Sequence, residues 1–254
     1  MDILSQLSEG VCRLQFNRPQ KKNALTAAMY TTLAEELEAA AVDERVRAIL
    51  IEGQPDIYTA GNDVEDFLSQ SPAGLDTPVF RFLRALSTAE KPVVAAVSGP
   101  AVGIGTTLLL HCDLVYAAQS ARFQLPFAAL GLVPEAASSL LLPRLIGYPR
   151  AAEKLLLGEG FGASEALSMG LVCAVLPNDE LMAHVQVQLA KLVALPAGAL
   201  RATKRLMKSH QASDVQAAMQ VEAEEFISRL GMPAAREAFD AFLARRRPDF
   251  SGKD

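Results

Sequence analysis

Between Asp113 and Glu153 the chain carries one carboxylate, Glu135, in LGLVPEAASS (130–139). Phe127, Leu130, Leu132 and Val133 come just before it. A carboxylate in apolar surroundings holds its proton to higher pH and can take and return one near neutrality. A plainer role also fits, because acids in the first turn of a helix gain about 0.3–1 kcal/mol. Two further segments, YTAGNDVEDF (58–67) and SGPAVGIGTTLLL (98–110), place glycines and small residues between a strand and a helix. Ligands of open α/β sheets bind at such strand ends. Small residues let the ligand approach the backbone, and the first free N–H groups of the helix point at it. Two turns of this kind could each give one N–H to a single oxygen. Each donor of such an oxyanion hole contributes about 2.7–4 kcal/mol in the transition state. Taken singly, each turn is equally a helix start capped by Asn62 or Asp63. Two basic groups complete the inventory: Arg18, Lys21 and Lys22 in NRPQKKNAL (17–25), and Lys204, Arg205 and Lys208. They read as solvated surface or as a seat for a phosphate-bearing ligand.

The elements that must hold these residues are legible from periodicity. VCRLQFN (11–17) alternates, with Cys12, Leu14 and Phe16 on one face, as a half-buried strand does. A helix is expected from about Thr26, with Met29, Leu33, Leu37 and Ala40 on one stripe. VRAILIEG (46–53), PVVAAVSG (92–99) and DLVYAA (113–118) are near-continuous apolar runs. Strands buried on both faces read that way and imply a parallel sheet covered by helices. LVCAV (171–175) is a further short strand. After about residue 178 only helices are expected. One runs from an N-cap at Ser213 to a stop at Gly231. Another opens at Pro233, with Phe239, Phe242 and Leu243 on one stripe. The α/β body is placed at 1–195 and the helical part at 196–254.

Several classes are excluded. His111, His184 and His210 have no metal-ligand spacing, so no metal site is expected. There is neither a phosphate-binding P-loop nor a G-x-S-x-G nucleophile turn. GPAVGIGTTL has Leu108 where a dinucleotide fingerprint needs its third glycine. Cys12, Cys112 and Cys173 are widely spaced in apolar runs and read as reduced core residues of a cytoplasmic protein. A net charge of −5 argues against a general nucleic-acid surface. No apolar run reaches the roughly 18 residues of a membrane span. The first residues lack a basic signal-peptide start, and FSGKD matches no retention or peroxisomal address.

NRPQKKNAL, YTAGNDVEDF, GPAVGIGTTLLLHCDLVYA and LGLVPEAASSLLLPRLIG stand in the order and spacing of the crotonase superfamily, the enoyl-CoA hydratases and isomerases, which the chain resembles from about residue 3 to 249. The resemblance implies the crotonase (ClpP/crotonase-like) α/β fold of repeated ββα units, with a helical C-terminal region that drives homotrimers or dimers of trimers. It implies an acyl-CoA thioester as substrate, with coenzyme A part of that substrate and no separate cofactor. By position, the two thioester-binding amides fall on Ala60 and Ile104, with Gly61, Gly103 and Gly105 shaping the turns and Asn62 and Asp63 following. Arg18, Lys21, Lys22 and Ala24 match the segment bordering the adenine and phosphates, and Lys204 is a further candidate. Typical hydratases carry glutamates where this chain has Thr107 and Phe127. Glu135 instead matches the acid of peroxisomal-type Δ3,Δ2-enoyl-CoA isomerases. The implied activity is therefore movement of a 3-enoyl-CoA double bond to the 2-trans position by one carboxylate. The alternatives are a hydratase-like enzyme, a ring-opening isomerase of the phenylacetyl-CoA epoxide type, and a non-catalytic acyl-CoA-binding module.

Overall fold

The alternating segment after residue 10 forms β2 (Val11–Phe16), and its apolar positions Cys12, Leu14 and Phe16 are the buried ones. Ahead of it lies a strand the sequence left unassigned, β1 (Ile3–Ser8), which pairs antiparallel with β2. Only Ile3 of β1 is buried, so its pattern carries too little hydrophobic signal to be read. The computed structural model describes residues 1–69, 74 and 76–253.

The remaining elements follow in the order α1 (Ala27–Val42), β3 (Ala48–Glu52), α2 (Val64–Ser69), α3 (Pro78–Ser87), β4 (Val93–Val97), β5 (Pro100–Val102), α4 (Ile104–Thr107), β6 (Leu114–Ala118), β7 (Arg122–Gln124), α5 (Ser138–Ile146), α6 (Tyr148–Ala152), β8 (Phe161–Gly162), α7 (Ala163–Ser168), β9 (Ala174–Leu176), α8 (Leu181–Ala194), α9 (Ala197–Ser209), α10 (Ala212–Leu230) and α11 (Pro233–Leu243). One sheet has the order β1-β2-β3-β4-β6-β9, parallel from β2 onward. A smaller sheet, β5-β7-β8, carries the second glycine turn.

The apolar strands are buried on both faces, as their composition requires. Ile49, Ile51, Val93, Ala95 and Val97 face α1 and α3, whose Leu33, Leu37, Phe82 and Leu86 fill that side. Ala48, Leu50, Val94 and Ala96 face α8, through Leu181, Val185 and Leu189. Thr26 caps α1 by accepting from the Met29 N–H at 3.3 Å, and the expected stripe is the buried one. The helical C-terminal residues form a third core. Phe226 of α10 and Phe239 of α11 pack on Leu125, Phe127, Leu132 and Leu142, the segment that bears Glu135.

Four expectations need correction. The last strand is Ala174–Leu176, because Leu171 and Val172 turn into the main core. Helix α10 starts at Ala212 after Gln211, so Ser213 lies inside it and caps nothing. Phe242 is 61% exposed, so α11 buries Phe239 but not the whole stripe. Cys12 is buried, whereas Cys173 is exposed; all three cysteines are free. Among the described residues no helix is long and apolar enough to cross a membrane.

Candidate active site

The two glycine turns lie side by side. Thr59 N–H donates to the Pro100 carbonyl at 2.8 Å, and Val102 N–H returns to the Thr59 carbonyl at 3.1 Å. This approach requires glycine at two places. A Cβ on Gly105 would sit 2.5 Å from Thr59 Cγ2. A Cβ on Gly61 would meet the Val102 carbonyl at 2.8 Å, and Gly61 has φ +88°, where L side chains are strained.

Each turn leaves an amide unused where it opens its helix. Ile104 opens α4 behind Gly103, and its N–H meets no acceptor among the described residues, as the first N–H of a helix does not. The second is not Ala60. The Ala60 N–H donates to the Lys22 carbonyl at 3.0 Å, so the expected donor is already engaged. Asn62 takes its place. Leu25 N–H bonds the Gly61 carbonyl and Asp63 N–H bonds the Leu25 carbonyl, both at 2.8 Å. That bridge pairs Asn62 with Leu25 while leaving the Asn62 N–H without an acceptor among the described residues. The Asn62 side-chain oxygen accepts from the Tyr30 hydroxyl.

Glu135 is 7% exposed, and its Oε1 has no hydrogen-bond partner among the described residues. Its enclosure, about 10 Å³ with room for at most one water, is bounded by Phe67, Val79, Phe80, Leu83, Met219 and Phe226, with Glu222 beside it. Burial, and next the Glu222 charge, push the Glu135 carboxyl up to about 8. Burial and the Glu135 charge also push the Tyr30 phenol up, so the hydroxyl that holds Asn62 lies within electrostatic reach of Glu135.

Glu135 is not in the first turn of α5, which begins at Ser138. It precedes Ala136 and Ala137, both left-handed at φ +61° and +54°, a conformation that costs non-glycine residues energy and persists only where surroundings enforce it. Two buried groups enforce it. His111 Nε2 lies 2.8 Å from the Ala136 carbonyl, which can only accept, so that nitrogen carries the proton. Burial lowers the His111 imidazole to about 4, leaving it neutral. Glu222 accepts from Ala137 N–H at 2.6 Å and from Ser139 N–H at 2.8 Å.

The expected phosphate seat is largely internal. Arg18 Nη1 is 2.6 Å from Asp63 Oδ2 and 3.0 Å from the Ala24 carbonyl. Asp63 also accepts from the Glu65 and Asp66 N–H groups at the start of α2. Arg18, Ala24 and Asp63 thus lock the first turn, and Arg18 commits Nη1 to that lock. Lys204 is 4% exposed, 2.7 Å from Asp113 and 2.8 Å from the Lys91 carbonyl, so it too is a structural cation. Lys21 and Lys22 remain at the surface, Lys21 3.4 Å from Glu65. Thr107 is fully buried with an unpartnered hydroxyl, and Phe127 belongs to the third core.

Sequence reasoning missed Tyr30, His111, Glu222 and the Asn62 amide. Glu222 had a readable signal: with Val215, Met219 and Phe226 it falls at spacings of four, three and four, a charge on the buried stripe of α10.

The sheet, the ββα order and the paired turns define a crotonase fold. The family model "Enoyl-CoA hydratase/isomerase" matches residues 6–253. The chain therefore belongs to the enoyl-CoA hydratase/isomerase family. It is 37% identical to the 1,2-epoxyphenylacetyl-CoA isomerase of Escherichia coli K12, over 99% of this chain and 98% of that one. It is 33% identical to the mouse peroxisomal enoyl-CoA delta isomerase 3, over 96% of this chain and 79% of the mouse protein. Other relatives of similar identity are named hydratases. Among solved structures, an enoyl-CoA hydratase/isomerase from Pseudoalteromonas atlantica T6c superposes with a TM-score of 0.93 at 42% identity, covering 98% of this chain and all of that one.

Proposed function

We propose that the protein is a Δ3,Δ2-enoyl-CoA isomerase in which Glu135 moves one proton. The observation that carries this reading is a single buried carboxylate oxygen, Glu135 Oε1, left without a partner in an apolar enclosure. Ionised Glu135 takes a proton from C2 of a 3-enoyl-CoA. The C–H electrons pass into a dienolate whose charge rests on the thioester oxygen, stabilised by the Asn62 and Ile104 amides. Protonated Glu135 returns the proton at C4, and the double bond closes between C2 and C3. Nothing is oxidised or reduced overall, and no cofactor is needed. A pKa close to the working pH suits a group that is base in one half of the reaction and acid in the other.

Hydration requires one group to activate water and another to protonate carbon. Both Glu222 oxygens are engaged by N–H groups, and Thr107 and Phe127 offer no carboxylate. The assay is conversion of 3-hexenoyl-CoA, with trans-2-hexenoyl-CoA as the expected product. Formation of 3-hydroxyhexanoyl-CoA at a comparable rate would replace the isomerase reading with the hydratase one. The 37% identity to a 1,2-epoxyphenylacetyl-CoA isomerase supports one second reading, an aromatic acyl group. Competition between 3-hexenoyl-CoA and aromatic acyl-CoAs separates the two. The homotrimer remains part of the proposal and is tested by sedimentation.

A further inference from the structure

Glu222 lines the same enclosure as Glu135 but reaches it from α10, some ninety residues further along the chain. It is 7% exposed, and the isomerisation does not use it. The two carboxylates differ in one respect: Glu222 accepts the Ala137 and Ser139 N–H groups, whereas Glu135 Oε1 accepts none. When two buried acids share a site, both cannot ionise cheaply, and charge settles on the one that donors solvate.

We propose that Glu222 is a positioning residue for Glu135: it clamps the left-handed Ala136–Ala137 turn that aims Glu135 into the enclosure, and it carries the negative charge of the pair. The α10 helix would then report to the acid–base chemistry through one side chain. The arrangement accords with the Glu222 charge acting to raise Glu135. Other titratable groups around Glu135 are few. Helix α1 contributes Tyr30, whose hydroxyl is committed to Asn62. His111 is neutral and held on the Ala136 carbonyl, with Lys208 behind it on the His111 carbonyl. Helices α2 and α3 present Phe67, Val79, Phe80 and Leu83.

The proposal rests on Glu135 being the group that titrates in the site, and its test does not depend on isomerase activity. Carboxyl carbons of ¹³C-labelled glutamate are followed by NMR against pH in the full-length protein, with Glu135→Gln assigning the Glu135 signal. In Glu222→Gln, which keeps the shape but removes the charge, the Glu135 midpoint should fall by about one pH unit or more. In Glu135→Gln the Glu222 midpoint should stay where it is in the wild type, because Glu222 ionises while Glu135 still holds its proton, and this measurement serves if Glu222→Gln does not fold. Folded Glu222→Gln with an unmoved Glu135 midpoint overturns the proposal, as does a Glu222 midpoint that falls by about a pH unit or more in Glu135→Gln, which would make Glu135 the charged member of the pair. With 3-hexenoyl-CoA, Glu222→Gln should lower kcat at least about tenfold with KM held, and shift the acid limb of kcat/KM to lower pH. A Glu135 midpoint that moves in Glu222→Gln, in a protein that does not isomerise 3-enoyl-CoA, would leave the clamp standing and remove the isomerase reading.

Discussion

The Tyr30 hydroxyl donates to the Asn62 side chain, so the residue bearing one free amide is fastened to α1 within electrostatic reach of Glu135. The buried acid and the residue with the free amide are thus linked through Tyr30, across three separate stretches of chain. Tyr30→Phe should loosen Asn62 without touching a reacting atom. The expected result is a fall in kcat of about tenfold with little change in KM, smaller than the 10²–10³ of a whole lost donor. Steady-state kinetics on 3-hexenoyl-CoA checks it.

Gly61 offers a sharper probe of the same hole, since a backbone amide cannot be deleted by mutation. Gly61→Ala forces a Cβ to 2.8 Å from the Val102 carbonyl at a φ that alanine resists. The Asn62 N–H must then move. We expect kcat to drop by roughly 10²-fold. Retained turnover in a folded Gly61→Ala protein would argue against Asn62 as a donor.

The pH dependence follows from Glu135. It acts first as a base, so kcat/KM should rise with pH through a midpoint near 8 and level off above it. Stability should run the other way. An unfolded glutamate titrates near 4.5 and the folded Glu135 near 8, so between these values folding takes up a proton. The stabilisation is complete below about pH 4.5 and is lost as pH climbs to 8, a change on the order of a few kcal/mol. Glu135→Gln has no such carboxyl. Its melting temperature relative to wild type should therefore rise steadily between pH 5 and 8, as scanning calorimetry would measure.

Lys204 separates structural from ligand-binding cations. Its ammonium neutralises Asp113, which also accepts the Val93 N–H at 2.7 Å. Lys204→Ala leaves the part-buried Asp113 carboxylate only the more distant Lys208 ammonium, 3.8 Å away, and should cost up to about 3 kcal/mol. KM for an acyl-CoA should stay within about twofold. A large rise in KM with unchanged stability would return Lys204 to the phosphate seat.

How much of this was readable in the sequence depended on locality. The buried strands, the glycine turns and Glu135 announce themselves within a dozen residues, because hydrophobic period and turn chemistry are local. Strand β1 did not, since one buried residue makes no pattern. Ala60 was misassigned because the turn register depends on which amides Lys22 and Leu25 engage, and those lie nearly forty residues away. Arg18 and Lys204 looked like free cations because their partners, Asp63 and Asp113, are distant in sequence. Glu222 reaches Ala137 across eighty-five positions, a distance at which only an acid on an apolar stripe gives any warning.

The most direct measurement is the rate of 3-hexenoyl-CoA isomerisation by Glu135→Gln, alongside its binding of a CoA thioester. The account predicts a loss in kcat of at least roughly 10²-fold with thioester affinity preserved. Turnover at the wild-type rate would mean that another group moves the proton and would contradict it.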